Sequence, residues 1–209
     1  TIKDAIVLGM VIYIPHYAAT CHPLDELAAR KQMSKTNVFL DMFVYGEYSS
    51  YYWSQMVKNN TLPDIQEGDL EVMRKNTVDW LSFSYYMSAT AKDGSSGVKA
   101  GGNLQVELNP YLKASEWGWT IDPIGIRIAL RDLYEKYRMP IMVVENGFGM
   151  RDIFENGTVI DDERIYYMKD HIEQIGIAIE EGVDCRGYLM WGPIDILSSQ
   201  GEMGKRYGM

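Results

Sequence analysis

The chain has 209 residues, 46% of them hydrophobic and 12% aromatic, and a formal net charge of −9. That length and apolar content suit a globular unit with a sizeable core rather than a disordered chain. The negative charge argues against nucleic acid or an anionic membrane as a partner, and the two cysteines, Cys21 and Cys185, stand far apart and outside any CxxC, so neither a disulfide framework nor a zinc site is expected and a reducing compartment is the default.

No apolar run approaches the length of a membrane span, and the opening "TIKDAIVLGMVIYI" is too polar for a secretory signal. The chain starts at Thr1 and stops at "KRYGM", so both ends read as cut. The first strand candidate is "AIVLGMVIYI", 5–14. In "IPHYAATCHP", His16 and His22 stand near Cys21, but no third ligand is indicated and no metal is expected. An aromatic-rich region over 36–58 reads as helical. "WLSFSYY", 80–86, is the second strand, followed by "SATAKDGSSGVKAGGN", 88–103, which reads as a mobile surface loop.

In "SEWGWTIDP", Trp119 lies close to a helix cap and reads as packing, whereas Trp117 is open to packing or to stacking on a sugar. Asp122 is the expected N-cap and Pro123 the first helical residue, with Ile126, Leu130, Leu133 and Tyr137 on one face. "IMVVE", 141–145, is the third strand. After Asp161-Asp162 a second apolar stripe runs through Ile165, Met168, Ile172, Ile175 and Ile179 and stops near Gly182, with His171 on that helix as a structural or exposed residue. "CRGYLMW", 185–191, is the fourth strand. None of the four alternates cleanly, which favours burial on both faces. Strand–helix alternation implies a parallel α/β sheet, either a small open domain or half of an eight-stranded barrel, and periodicity does not choose between them.

Reactive groups in parallel α/β folds sit at the carboxyl ends of strands. Glu145, Tyr86 and Trp191 occupy such ends, with Asp195 to Ser198 just beyond. A carboxylate, a phenol and an indole at neighbouring strand ends suit a sugar: the first attacks the anomeric carbon, the second orients it and the third packs on the ring. The plainer reading is a strand end and an Asn-Gly turn with Glu145 reaching solvent. In "DILSSQGEMGKRY", Ser198, Lys205 and Tyr207 offer two hydroxyls and an ammonium that suit a phosphate, although the same residues also suit a solvated loop.

These stretches resemble glycoside hydrolase family 1 over essentially all 209 residues. "EWGWTIDPIGIRIALRDLYEKYRMPIMVVENGFG" is similar to the tract ending in the nucleophile motif, "DDERIYYMKDHIEQIGIAIEEGVDCRGYLMWGPIDILS" to the following helix and final strand, and "WLSFSYYMS" to the strand ending in Asn-Tyr-Tyr, with Ser84 in place of Asn. "YAATCHPLDELAA" and "FLDMFVYGEY" resemble the region after the fifth strand. The resemblance implies the C-terminal half, strands five to eight, of a TIM (β/α)8 barrel, with residues 1–209 as one partial unit and the N-terminal half and last helix missing.

It further implies Glu145 as nucleophile, Tyr86 as its hydrogen-bonding partner and Trp191 as a sugar-subsite residue, with Trp117 also a candidate. Ser198-Ser199 stands where the family's glucosidases carry Glu-Trp, and with Lys205 and Tyr207 this is similar to the 6-phospho-β-glycosidase branch. Physically, a glutamate there would repel a phosphate that a hydroxyl and an ammonium attract. The implied activity is a retaining, cytoplasmic 6-phospho-β-glucosidase that acts on phosphorylated disaccharides or aryl β-glucosides and needs no metal or cofactor. A non-catalytic phosphosugar-binding module and a β-glucosidase for sugars without phosphate stay open as alternatives.

Retaining glycosidases need two carboxyl groups about 5–5.5 Å apart, and no Asn-Glu motif for the acid/base is found in the chain. Hydrolysis by the chain alone is therefore expected to fall by about 10²–10⁴-fold. Two unpaired sheet edges imply self-association or a complementary N-terminal half.

Overall fold

The computed structural model describes residues 4–99, 105–198 and 201–208. The first part of the chain forms β1 (Leu8–Ile12), β2 (His16–Ala18), α1 (Pro23–Tyr45), α2 (Ser50–Asn59), α3 (Asp69–Lys75), β3 (Trp80–Ser84), β4 (Ala89–Ala91) and β5 (Val98–Lys99). It continues through β6 (Gln105–Val106), α4 (Pro123–Tyr137), β7 (Ile141–Glu145), β8 (Phe154–Glu155), β9 (Thr158–Val159), α5 (Asp162–Glu180) and β10 (Cys185–Tyr188).

The central sheet has the order β1-β3-β7-β10 and every neighbouring pair in it is parallel. The four expected strands are present: β7 has the expected bounds, 141–145, and β1, β3 and β10 are shorter than their apolar runs. Their outward residues Val11, Leu81, Phe83, Ile141 and Val143 meet Leu40 of α1, Ile126, Leu130 and Leu133 of α4, and Ile175 of α5 in one buried core. Each such side chain gains about 1.5–3 kcal/mol on burial, so the core lies on the helix side. The opposite face carries Met10, Ser82, Ser84 and Met142. On β1 burial alternates, with Leu8, Met10 and Ile12 at 39%, 45% and 62% exposure. This departs from the expected two-sided burial, because β1 is an edge strand with helices on one side only.

The start of α4 follows the sequence closely. Asp122 accepts a hydrogen bond from Gly125 N–H at 2.9 Å, and Ile126, Leu130, Leu133 and Tyr137 are all buried. The region expected as one helix over 36–58 is instead two. Its first part belongs to α1, which begins at Pro23 with the His22 side chain as N-cap and ends at Gly46. Gly46 takes φ +64, a left-handed conformation that stops a helix at low cost, and the chain turns before α2.

The expected stripe on α5 also differs. Ile175 is buried, but Ile165, Ile172 and Ile179 are 53%, 48% and 48% exposed, and the inward positions are Arg164, Tyr167, His171, Ile175 and Ala178. Polar side chains with internal bonds occupy the buried face, so apolar spacing points to the wrong side. Within 88–103, Ala89–Ala91 forms a buried strand paired in parallel with β2, and residues 100–103 of that stretch lie outside the described residues.

Candidate active site

Strand parity alone would send Glu145 into the helix layer, because Ile141 and Val143 both point there. An irregularity prevents this. Phe83 pairs with Val143 but Ser84 pairs with Glu145, so β7 carries one extra residue, Val144. Such a bulge re-aims the side chain that follows it. Glu145 thus turns to the open face at the carboxyl end of the sheet, beside Ser84 and Tyr86.

There its Oε2 accepts two hydrogen bonds, from Ser84 Oγ at 2.7 Å and from Tyr86 OH at 3.1 Å. Burial, and the Glu145 charge beside it, raise the Tyr86 phenol above its ordinary value, so it stays a donor. Both donors thus engage the same carboxylate oxygen.

The next residue anchors this geometry. Asn146 is fully buried and its Nδ2 donates to Tyr85 O at 2.8 Å and to Tyr167 OH at 3.1 Å. Tyr188 OH donates to Asn146 Oδ1 at 2.9 Å, and Tyr167 OH donates to Tyr86 O at 3.0 Å. Tyr167 therefore pins the backbone of the residue that orients Glu145. His171 stacks on Tyr167 at 3.9 Å between centroids, and its Nδ1 lies 2.6 Å from Tyr167 O. A carbonyl only accepts, so Nδ1 carries the proton. Burial pushes the His171 imidazole down to about 4, and it is neutral at pH 7. His171 is thus a buried structural residue. His16 contacts Ile14 O and His22 caps α1, and no metal-holding group of ligands occurs among the described residues.

A cavity of about 590 Å³ opens over Glu145 and is lined also by Tyr86, Trp119, Trp191, Ser198, Lys205 and Tyr207. Lys205 is 4% exposed and its Nζ lies 3.5 Å from the Trp119 ring centroid, with Trp117 at 5.5 Å and Tyr207 at 5.9 Å. It takes part in none of the ion pairs among the described residues. Burial in this aromatic cage pushes its amine down to about 8, with Glu202 pulling weakly the other way. An ammonium without a carboxylate partner, facing a cavity, is a ready site for an incoming anion.

Most of the sequence candidates meet here. Glu145, Tyr86, Trp191, Ser198, Lys205 and Tyr207 share one cavity. Trp119 packs on the Met87–Ala89–Val106 cluster, as expected, and also lines the cavity, while Trp117, open to either role, is absent from the cavity lining and has Lys205 Nζ at 5.5 Å and Arg151 at 5.7 Å over its ring. Asp195 turns away to bond Arg206, and Ser199 lies outside the described residues. In the sequence Ser84 stands out only as a departure from Asn. Its role as a donor follows from the β3–β7 register, which residue spacing does not carry. Among the described residues lining this cavity, Glu145 is the only carboxylate.

A family model described as glycosyl hydrolase family 1 matches residues 2–209. The chain belongs to glycosyl hydrolase family 1. It is 44% identical to the aryl-phospho-beta-D-glucosidase BglH of Bacillus subtilis over 211 residues, covering 99% of this chain and 45% of the relative. It is 45% identical to a 6-phospho-beta-glucosidase of Clostridium longisporum over 208 residues, covering 95% of this chain and 44% of that one. A crystal structure of a beta-glucosidase from Exiguobacterium marinum superposes with a TM-score of 0.84 at 27% identity, covering 99% of this chain and 47% of that structure. This family 1 chain thus spans about half the length of the relatives it matches, and its four parallel strands with the helices between them correspond to part of those structures.

Proposed function

We propose that the chain supplies the nucleophile half of a retaining 6-phospho-β-glucosidase. The observation that carries this reading is the pairing, in one cavity, of a carboxylate held by two donors with a buried ammonium that has no carboxylate partner. Relatives named as phospho-glucosidases support it.

In this mechanism Glu145 Oε1 attacks the anomeric carbon while the bond from that carbon to the leaving oxygen breaks. Ser84 and Tyr86 hold Oε2 and keep the second lone pair set aimed at the sugar. Trp191 packs on the ring, and Lys205, Tyr207 and Ser198 receive the 6-phosphate. Water then displaces the sugar from Glu145. The proton for the leaving oxygen, and the base for the water, come from a second carboxyl group in barrel units beyond the described residues. The substrate is a phosphorylated disaccharide or an aryl 6-phospho-β-glucoside. Such anions do not cross membranes readily, which favours a cytoplasmic site of action. No helix among the described residues is long and apolar enough to cross a membrane.

The edge strands β1 and β10 each have a single neighbour in the sheet, and Leu8, Met10 and Ile12 of β1 are exposed, with Ile12 at the cavity. We assign these surfaces to further barrel units, supplied by the same polypeptide or by a second copy.

The deciding experiment is thermal unfolding with glucose 6-phosphate and with glucose. Protection by the phosphate ester alone, lost in Lys205→Ala, supports the reading. Equal protection by both sugars points to a glucosidase for unphosphorylated substrates, and phosphate-specific binding without trapping of Glu145 by a 2-deoxy-2-fluoro 6-phosphoglucoside in the intact protein points to a binding module.

A further inference from the structure

Two of the residues that would grip the phosphate, Lys205 and Tyr207, sit on a short arm, 205–207, whose side chains alternate. Lys205 and Tyr207 face the cavity, while the Arg206 side chain faces outward at 46% exposure. The arm is joined to the loop that follows Glu145 by a reciprocal backbone pair. Met150 N–H donates to Arg206 O at 2.9 Å and Arg206 N–H donates to Met150 O at 3.0 Å. The approach is close. A Cβ on Gly149 would lie 2.8 Å from Tyr207 Cζ and 2.9 Å from Lys205 Cε.

Behind this junction lies Arg164, 1% exposed at the start of α5. Its Nη2 donates to Asp152 Oδ1 at 2.7 Å, to Arg206 O at 3.0 Å and to Met150 O at 3.2 Å, and its Nη1 pairs with Asp161. One guanidinium thus bonds both carbonyls of the reciprocal pair. From the outer side, Arg206 Nη1 pairs with Asp195 at 3.0 Å, and Gly208 N–H donates to the same carboxylate at 2.9 Å. Burying an arginine is costly unless its bonds are made; here both terminal nitrogens bond, Nε alone lacks a partner, and the bonds converge on the loop that follows Glu145 and on the arm that carries Lys205 and Tyr207.

We propose that Arg164 is a positioning residue for recognition of the 6-phosphate: it fastens the 205–207 arm to the loop behind Glu145 and so sets the span between the attacking carboxylate and the Lys205 ammonium. The proposal rests on the phospho-glucosidase reading and adds a determinant of its selectivity. A sugar whose phosphate and anomeric carbon match that span engages both ends at once, whereas a sugar without phosphate uses only the Glu145 end.

The test compares p-nitrophenyl 6-phospho-β-glucoside with p-nitrophenyl β-glucoside on the intact protein that carries this chain. Arg164→Met is expected to raise KM for the phosphorylated substrate about tenfold, the loss from misaligning one charge-assisted hydrogen bond. Its kcat on that substrate, and both constants on the unphosphorylated one, should change much less. Arg164→Lys should recover part of the loss. If Arg164→Met does not fold, Asp195→Asn frees the outer side of the arm at an exposed position and should shift KM in the same phosphate-specific direction, by about threefold. KM values that rise together for both substrates, or for neither, overturn the proposal. Amide exchange at Met150 and Arg206 needs no substrate and separates the two ways of failing. A wild-type enzyme indifferent to the phosphate sinks the phospho-glucosidase reading, whereas unchanged exchange in Arg164→Met overturns the fastening itself.

Discussion

Replacing Lys205 by Met removes a cation that the fold holds in an aromatic cage, and the structure sets the size of the effect. The amine falls from its ordinary 10.5 to about 8 because burial strips its water. At about 1.4 kcal/mol per pH unit, holding the charged form costs on the order of 3 kcal/mol. The Trp119 face, 3.5 Å from Nζ, returns about 1–2 kcal/mol as a cation–π contact. The Met variant should therefore be more stable than the wild type at pH 7 by roughly 1–2 kcal/mol. The sign of the pH dependence follows from the depressed value. Between about 8 and 10.5 the unfolded chain binds the proton and the folded one does not, so wild-type stability rises with pH across that window. The cost is present in full below about 8, and the advantage of Met should vanish above 10.5. Urea unfolding of both proteins at pH 7 and pH 10.5 measures this. Glucose 6-phosphate should reverse the order at pH 7 by stabilising only the wild type. A Met variant less stable than wild type at pH 7, or a difference that is the same at both pH values, would refute the cage as a site of uncompensated charge.

Ser84→Ala removes the shorter of the two bonds to Glu145 Oε2. In the intact protein it should lower kcat about tenfold to a hundredfold with little change in KM, measured by steady-state kinetics on an aryl 6-phospho-β-glucoside. His171, held neutral down to about 4, destabilises the fold as pH drops from 6.5 toward 4, because only the unfolded chain takes up the proton there. His171→Phe should flatten that acid limb in a denaturation series from pH 7 to pH 4.

The sheet and α4 were legible because their signal is apolar. "IMVVE" and the Ile126–Leu130–Leu133–Tyr137 face bury what hydrophobicity says they bury. Where polar groups are buried with their bonds made, the same logic fails. On α5 the inward side chains Arg164, Tyr167 and His171 are held by hydrogen bonds, and the isoleucine row is left outside. The direction of Glu145 depends on the extra residue Val144, and the partnership with Ser84 on strand register, neither of which a single sequence displays. Residue chemistry brought Glu145, Lys205 and Tyr207 to notice only as one of two readings, since a carboxylate at a strand end and a lysine in a polar loop also suit solvent; the resemblance to the family's motifs gave them roles.

The in–out–in order of Lys205, Arg206 and Tyr207 has a consequence for how the chain tolerates insertion and deletion. One residue gained or lost between Gly204 and Gly208 would rotate every side chain by half a turn, swing the guanidinium into the cavity and expel the amine and the phenol. At the tip of the β8–β9 hairpin the constraint is local backbone alone: Asn156 and Gly157 take φ +52 and +84, and a Cβ on Gly157 would meet nothing within 4 Å, so a longer turn displaces no neighbour. Length is therefore frozen at one rim loop and open to drift at another.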